Sequence, residues 1–252
     1  MASTQQNEDT PRGLAFALVA YGLWGFLPLY MKLLDHVPPA EVVAHRVLWS
    51  VPIAAGVLIL LRRTDALRDA LRNPRMLGMA CVTAALISLN WGIYVWAIAT
   101  ENAMEAALGY YINPLFSIFL AAVFLGERPG RTQLVAIGLA ACAVAVLAID
   151  AGGIPWVALS LTLTWGFYAL AKRSLPIGPN QGFLLEVLIL LLPAIGYMLY
   201  ATATGQSHFS FSLSRDSWLL AGCGVVTAVP LLFYANGAKG LRLTTIGKLL
   251  YK

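Results

Sequence analysis

Charge is what this sequence has least of. Only 12% of its 252 residues are Asp, Glu, Lys or Arg and 59% are hydrophobic, where a soluble globular domain carries roughly 25% charged and about 45–50% apolar residues. That is the composition of a membrane protein. Histidine is scarce as well, with three in the chain, and His45 alone falls in an apolar run. The three cysteines, Cys81, Cys142 and Cys223, all lie in apolar runs and are odd in number. They imply no disulfide framework and no metal site, and are expected to pack as small hydrophobes. The phosphate loop G-x-x-x-x-G-K-[ST] is missing, as are H-E-x-x-H and G-x-S-x-G. Nucleotide hydrolysis by that loop and the commonest hydrolase chemistries are thereby set aside. No enzyme, cofactor or metal is expected, and any work the protein does must draw on a gradient or run downhill.

What is present is a series of apolar runs. A bilayer core of about 30 Å needs roughly 20 apolar residues per helix. Runs of about that length span Gly13–Leu34, Glu41–Leu61, Met76–Ala99, Met104–Leu125, Thr132–Ile149, Ile154–Ala171, Gln181–Ala201 and Trp218–Gly237. The polar start, MASTQQNEDTPR, precedes the first run without an A-x-A-like cleavage site, so that run reads as an uncleaved span.

The formal charge of +5 reports topology. With the N-terminus inside, cytoplasmic segments carry Arg12, the arginines of RRTDALRDALRNPR, Arg128, Arg131, Lys172, Arg173, Lys239 and Arg242; the opposite side has only Lys32, Arg46 and Arg215. The positive-inside rule then orients the chain with a cytoplasmic N-terminus. RRTDALRDALRNPR sits beside a span end, where anionic lipid accounts for its arginines, so we read a cytoplasmic amphipathic connector and no nucleic-acid partner.

Two internal correspondences suggest a repeat. Trp24-Gly25-Phe26 recurs 141 positions later as Trp165-Gly166-Phe167, with Lys32 and Lys172 about two turns on. At offset 138, Ala97, Leu108 and Gly109 match Ala235, Ile246 and Gly247. A unit of about 140 residues holds five spans, and an odd number inverts the second copy in the membrane. Inverted repeats place a binding site near the bilayer midplane, between the copies.

The segments WGFLPLYMKLL, EVVAHRVLWS, LNWGIYVWAI and EAALGYYINPL, with FLGER after the last, resemble the RarD branch of the EamA family, in the drug/metabolite transporter superfamily. The likeness runs from about residue 13 to 247. It implies a ten-helix permease of a bacterial inner membrane, of the kind described as chloramphenicol-sensitivity or drug permeases, built from two five-helix repeats. On that pattern residues 1–12 are a cytoplasmic tail, 13–150 the first repeat and 151–252 an incomplete second one. The expected fold is an all-α polytopic membrane protein of about eight transmembrane helices plus a stub of a ninth. After Gly247 the family pattern would continue, and KLLYK stands in its place. We therefore expect a C-terminally truncated frame, with a homodimer that supplies the missing wall as the alternative.

An ionisable group at the centre of a lone helix costs roughly 2.5–3.5 kcal/mol on insertion scales, so intramembrane polar residues ask for an explanation. Glu41, His45 and Trp49 share one stripe at i, i+4, i+8, with Arg46 about 100° round from His45. Glu41 and His45 are spaced to pair, and His45 titrates near neutrality when unperturbed. The stripe reads as a proton-responsive or gating cluster, or as an interfacial polar cap. Trp24, Pro28 and Lys32 form a second stripe, in which Lys32 is expected to snorkel outward. Asn90 and Tyr94 are one turn apart and suit a cavity wall or an interhelical hydrogen bond.

Glu186 has no Lys or Arg within a turn, so it must find a partner across the bundle or hold a proton. Glu105, Gly109 and Asn113 align on one face beside Tyr110 and Tyr111, and Pro114 leaves the Tyr110 carbonyl without its helical donor. That face is read as a cavity lining, with packing as the other account of Gly109 and Pro114. The candidate cavity residues are thus Trp24, Lys32, Glu41, His45, Arg46, Asn90, Tyr94, Glu105, Tyr110, Tyr111, Asn113, Trp165, Lys172 and Glu186. The expected partners are membrane lipid and a small-molecule solute.

Overall fold

The computed structural model describes residues 10–62, 64–124, 130–150, 153–210 and 214–238. In chain order its helices are α1 (Pro11–Lys32), α2 (Pro39–Leu60), α3 (Asp65–Arg72), α4 (Pro74–Ala99), α5 (Ala103–Phe124), α6 (Arg131–Asp150), α7 (Trp156–Ser174), α8 (Pro179–Ala203) and α9 (Arg215–Ala238). No strand occurs among the described residues, and the fold is all-α and polytopic. Each predicted span falls on one long helix, with ends displaced by at most three residues. Several helices begin earlier than the apolar runs because Pro11, Pro39, Pro74 and Pro179 occupy their first turns. Proline is tolerated there, since the N–H it lacks would have no intrahelical acceptor. Side chains finish two of these starts: Gly13 donates its N–H to Thr10 Oγ1 at 3.1 Å, and Arg75 and Met76 donate theirs to Asn73 Oδ1.

Among the described residues, six helices are long and apolar enough to cross a membrane: α1, α2, α4, α5, α8 and the Arg215–Tyr234 part of α9. The other two predicted spans are α6 and α7. α6, with the sequence RTQLVAIGLAACAVAVLAID, is apolar from Leu134 to Ile149. α7 carries Thr162, Thr164 and Lys172, and both threonines are buried against neighbouring helices. The RRTDALRDALRNPR connector forms the short helix α3, whose Ala70 packs with Ala80 of α4 and Leu185 of α8. The Ile246 and Gly247 correspondence and the KLLYK end lie outside the described residues, as do Arg63, Arg128, Lys239 and Arg242.

α2 lies between α8 and α9, α1 packs along α9, and α7 packs on α4 and α5. Small residues recur at the contact surfaces, beside larger buried ones such as Leu58, Leu161 and Leu185. Ala20, Ala54, Ala80, Ala97, Ala158 and Ala228 are all fully buried, whereas Phe26, Leu29, Leu60 and Ile149 are exposed. A membrane bundle needs this distribution, because lipid tails solvate large apolar side chains while close helix approach needs small ones. Gly109 shows the limit of that approach: a Cβ there would come within 2.8 Å of the Ala158 carbonyl oxygen on α7. Packing against α7 is therefore the account of Gly109. Cys223 is buried as expected, but Cys81 and Cys142 are exposed on the outside of the bundle and do not pack within it.

Candidate functional site

The first turn of α2 places Glu41 under the loop joining α8 to α9. Glu41 is fully buried, and its Oε1 accepts from the His208 N–H at 2.8 Å and from the Ser207 hydroxyl at 3.2 Å. Its Oε2 lies 2.8 Å from His208 Nδ1. The Glu41–His45 pair that the helical spacing allows does not form. His45 Nδ1 instead accepts from Trp49 Nε1 at 3.1 Å, its ring lies 4.8 Å from that of Phe209, and its buried Nε2 has no partner. Helical spacing makes the pair available, but a loop 167 residues away supplies three donors to the same carboxylate. Beside this cluster His36 Nε2 is 3.2 Å from Asp216. Lys32, half-exposed in the last turn of α1, pairs with Asp35 at 3.1 Å and Glu101 at 3.8 Å.

One turn further into α2 the guanidinium of Arg46 is 3% exposed. Its Nε donates to Thr227 Oγ1 of α9 at 2.9 Å, and its Cζ lies 4.6 Å from the centre of the Trp91 ring of α4. Tyr94, Tyr110 and Cys223 are the other side chains in electrostatic reach among the described residues, and none is a carboxylate. Nη1 is buried with no hydrogen-bond partner. Taking an ion out of water costs several kcal/mol. A desolvated cation–π contact returns about 2 kcal/mol and a charged hydrogen bond about 1.5–3 kcal/mol. The orphaned Nη1 leaves a residual cost of ~1–3 kcal/mol.

Around this cation runs an aromatic wall contributed by α1, α4, α5, α7 and α9. Tyr94 meets Tyr110 at 5.6 Å between ring centres, Tyr110 meets Trp165 at 6.1 Å, and Trp165 meets Trp24 at 6.5 Å. Trp24 in turn lies 5.4 Å from Tyr234. Asn90 fixes one end of the wall. It donates to Thr164 Oγ1 at 2.9 Å and to the Leu161 carbonyl at 3.2 Å, and it accepts from the Tyr110 hydroxyl at 3.0 Å. Asn90 thus joins α4, α5 and α7 with its hydrogen-bonding capacity largely used.

At the other end of the bundle Lys172 of α7 reaches Glu186 of α8 at 2.6 Å, and the Tyr168 hydroxyl donates to the same carboxylate at 3.3 Å. Glu186 is 1% exposed and the Lys172 side chain 21%. The sequence offered Glu186 either a partner across the bundle or a proton, and the partner is Lys172.

The structure thus gathers Trp24, Arg46, Asn90, Tyr94, Tyr110 and Trp165 at the centre. It sets Glu41 and His45 at one end and Lys172 with Glu186 at the other. On α5, Tyr111 is exposed, while Asn113 is buried with both amide atoms unpartnered and Glu105 buries Oε2 without a partner. Sequence reading missed Trp91, Thr227, Ser207 and His208. Trp91 follows Asn90 directly and could have been found from its aromatic character in a polar-bearing helix; the other three carry no local signal.

No solved structure matches the chain. The model of the EamA-like transporter family matches residues 11–149. The chain is 44% identical to Protein RarD of Streptomyces exfoliatus over 246 residues, which is 98% of this chain and 78% of that protein. It is 37% identical to Protein RarD of Escherichia coli over 95% of this chain and 81% of that protein. With the chloramphenicol-sensitive protein RarD of Pseudomonas aeruginosa it shares 32% identity over 83% of this chain and 70% of that protein. A family model covering more than half of the chain and relatives this similar along nearly all of it agree with the helical bundle: the chain belongs to the EamA-like transporter family and is a multi-pass membrane transporter of the RarD type.

Proposed function

We propose that this protein is a secondary transporter that carries small organic solutes across the bacterial inner membrane, with its N-terminus in the cytoplasm and a binding site at the Arg46 aromatic centre. The observation that carries this reading is a buried, partly unsatisfied polar centre enclosed by a polar closure at each end, Glu41 with His208 and Lys172 with Glu186. Alternating access opens one closure at a time while the centre holds the solute.

The closures and the centre fit two inverted repeats, 13–150 and the portion of a second from 151. If α1 and α4 correspond to α7 and α9, the packing of α1 on α9 becomes the packing of α7 on α4 when the copies are exchanged. Trp24 and Trp165, the tryptophans of the repeated Trp-Gly-Phe, touch each other with rings at 90°. Residues exchanged by a two-fold axis meet only near that axis, so their contact favours a central site between the copies. Proton linkage is part of the proposal, since an intramembrane carboxylate such as Glu186 can bind a proton when its lysine partner moves away.

Reconstitution in liposomes, with amino acids, metabolites and chloramphenicol as solutes and with and without a pH gradient, tests the reading. We expect flux for at least one solute and loss of its pH dependence in Glu186→Gln. Folded protein that moves none of them overturns the transporter reading for the chain alone and directs attention to assembly, which crosslinking in membranes would detect.

A further inference from the structure

Four side chains of the Asp, Glu, His, Lys and Arg types are almost completely buried in the described helices, Glu41, His45, Arg46 and Glu186, and both carboxylates among them have partners. Glu41 has His208 and Ser207, and Glu186 has Lys172 and Tyr168. Arg46 has a threonine hydroxyl, a tryptophan face and a buried Nη1 with nothing to donate to. Among the described residues no carboxylate forms an ion pair with it. Glu41 and Glu186 each have their partners, whereas Arg46, always a cation, has none of opposite charge among the described residues, which marks a place kept for a charge that comes and goes.

We propose that the central site holds an organic monoanion, with the solute's carboxylate on the free edge of the Arg46 guanidinium and its apolar body against Tyr94, Tyr110 and Trp165. This rests on the transporter reading above only in taking the centre to be where the solute sits. The chemistry follows from what surrounds the cation. A guanidinium presents its donors as a planar fork that matches the two oxygens of a carboxylate. Thr227 holds Nε and Trp91 covers one face, so the side chain is fixed before the anion arrives. With one cation and neutral neighbours the site balances a single negative charge, whereas a phosphate dianion would leave one unpaired. The aromatic wall favours a solute with an apolar or aromatic body over acetate or chloride, which have no surface to bury there.

The test uses the full chain purified in detergent, with phenylacetate, indole-3-acetate and octanoate as probes. Acetate, phenethylamine and the three matching amides, phenylacetamide, indole-3-acetamide and octanamide, serve as controls, and binding is read by calorimetry and by the shift in thermal unfolding. We expect at least one of the three carboxylates to bind and its neutral amide to bind about 100-fold more weakly or worse, because the amide leaves the cation unpaired. Arg46→Met should abolish the ligand-induced shift while the unliganded protein unfolds at the same or a higher temperature, since an unpaired buried charge has been removed. A merely structural arginine would give the opposite, a lowered unfolding temperature with carboxylate binding retained. Should Arg46→Met not fold, Arg46→Lys decides: it should keep the preference for acid over amide and lose about tenfold or more in affinity, the lysine being a point charge without the fork.

Equal binding of acid and amide, undiminished carboxylate binding in Arg46→Met or Arg46→Lys, or no binding by any of the three carboxylates overturns the proposal. Failure of the transporter reading looks different: carboxylate binding that depends on Arg46, without flux in liposomes, removes transport and leaves the anion site. Arg46-independent flux of a neutral solute, with no carboxylate bound, does the reverse.

Discussion

Breaking the Lys172–Glu186 pair from its two sides should have unequal costs, and the inequality can be worked from the geometry. Glu186 is 1% exposed, and apart from Lys172 at 2.6 Å its carboxylate has only the Tyr168 hydroxyl, at 3.3 Å. Lys172→Met leaves a buried anion with one long hydrogen bond, a situation that costs about 3–5 kcal/mol. Glu186→Gln leaves Lys172 with an amide oxygen in the same place, and the lysine side chain, 21% exposed, keeps a route to solvent and a cation–π contact with Tyr168 at 5.6 Å. Its cost should be nearer 1–2 kcal/mol, the range for a weakened hydrogen bond to a charged group. In the double variant neither ion remains, so its destabilisation should resemble that of Glu186→Gln alone. The coupling energy of the cycle is then about the whole cost of Lys172→Met, ~3–5 kcal/mol. Reversible unfolding in detergent, followed by tryptophan fluorescence, measures all four proteins. Additivity within about 0.5 kcal/mol, or a costlier Glu186→Gln than Lys172→Met, would refute the reasoning.

Gly109→Ala should force α5 away from α7, because the new Cβ would lie 2.8 Å from the Ala158 carbonyl oxygen and 3.2 Å from Leu161 Cβ. Overpacking of this kind costs about 1–3 kcal/mol, and unfolding in detergent should show it; Gly92→Ala, with nothing within 4 Å of the added carbon, is the silent control. Asn90→Leu strips the Tyr110 hydroxyl of its acceptor and leaves the neighbouring Thr164 hydroxyl and Leu161 carbonyl without the donor that joined them to α4. Each group left orphaned costs ~1–3 kcal/mol, so Asn90→Leu should destabilise more than Ser88→Ala, whose hydroxyl only returns to its own helix. Glu41→Gln replaces charge-assisted bonds to His208 by neutral ones of about half the strength. Hydrogen exchange of the His208 amide should then accelerate by about tenfold, and an unchanged rate would show that Glu41 does not hold the loop.

The helices were legible in the sequence because a bilayer imposes a length, and because proline punctuates where helices start. α7 was found by the same rule although Thr162 and Thr164 dilute its apolar character, since Asp150 with the Ala-Gly-Gly stretch precedes it and Lys172-Arg173 closes it. The central site was legible in part. Trp24 and Trp165 stood out through the repeated tripeptide, and Asn90, Tyr94 and Arg46 through polarity in apolar surroundings. Partners were the illegible element. Helical periodicity states which residues share a face and says nothing of what that face meets. Glu41 and His45 share a stripe, yet Glu41 is satisfied by His208 and His45 by Trp49.

Lys172 and Arg46 show why position on a charge map does not assign a role. Counted for topology, Lys172 is one more cation at the cytoplasmic side and Arg46 a small exception on the other. In the bundle Lys172 neutralises Glu186, and the exposed part of its side chain keeps it near solvent. Arg46 lies one residue beyond His45 on α2, but the 100° turn between them directs it away from the α8–α9 loop and onto Trp91 and Thr227. One helix thereby carries an acid that ties down a loop and a base that faces the centre with a donor unspent. On the proposed reading, these two charges five residues apart on α2 serve closure and binding separately, so a solute that draws on Arg46 need not compete with the bonds between Glu41 and the α8–α9 loop.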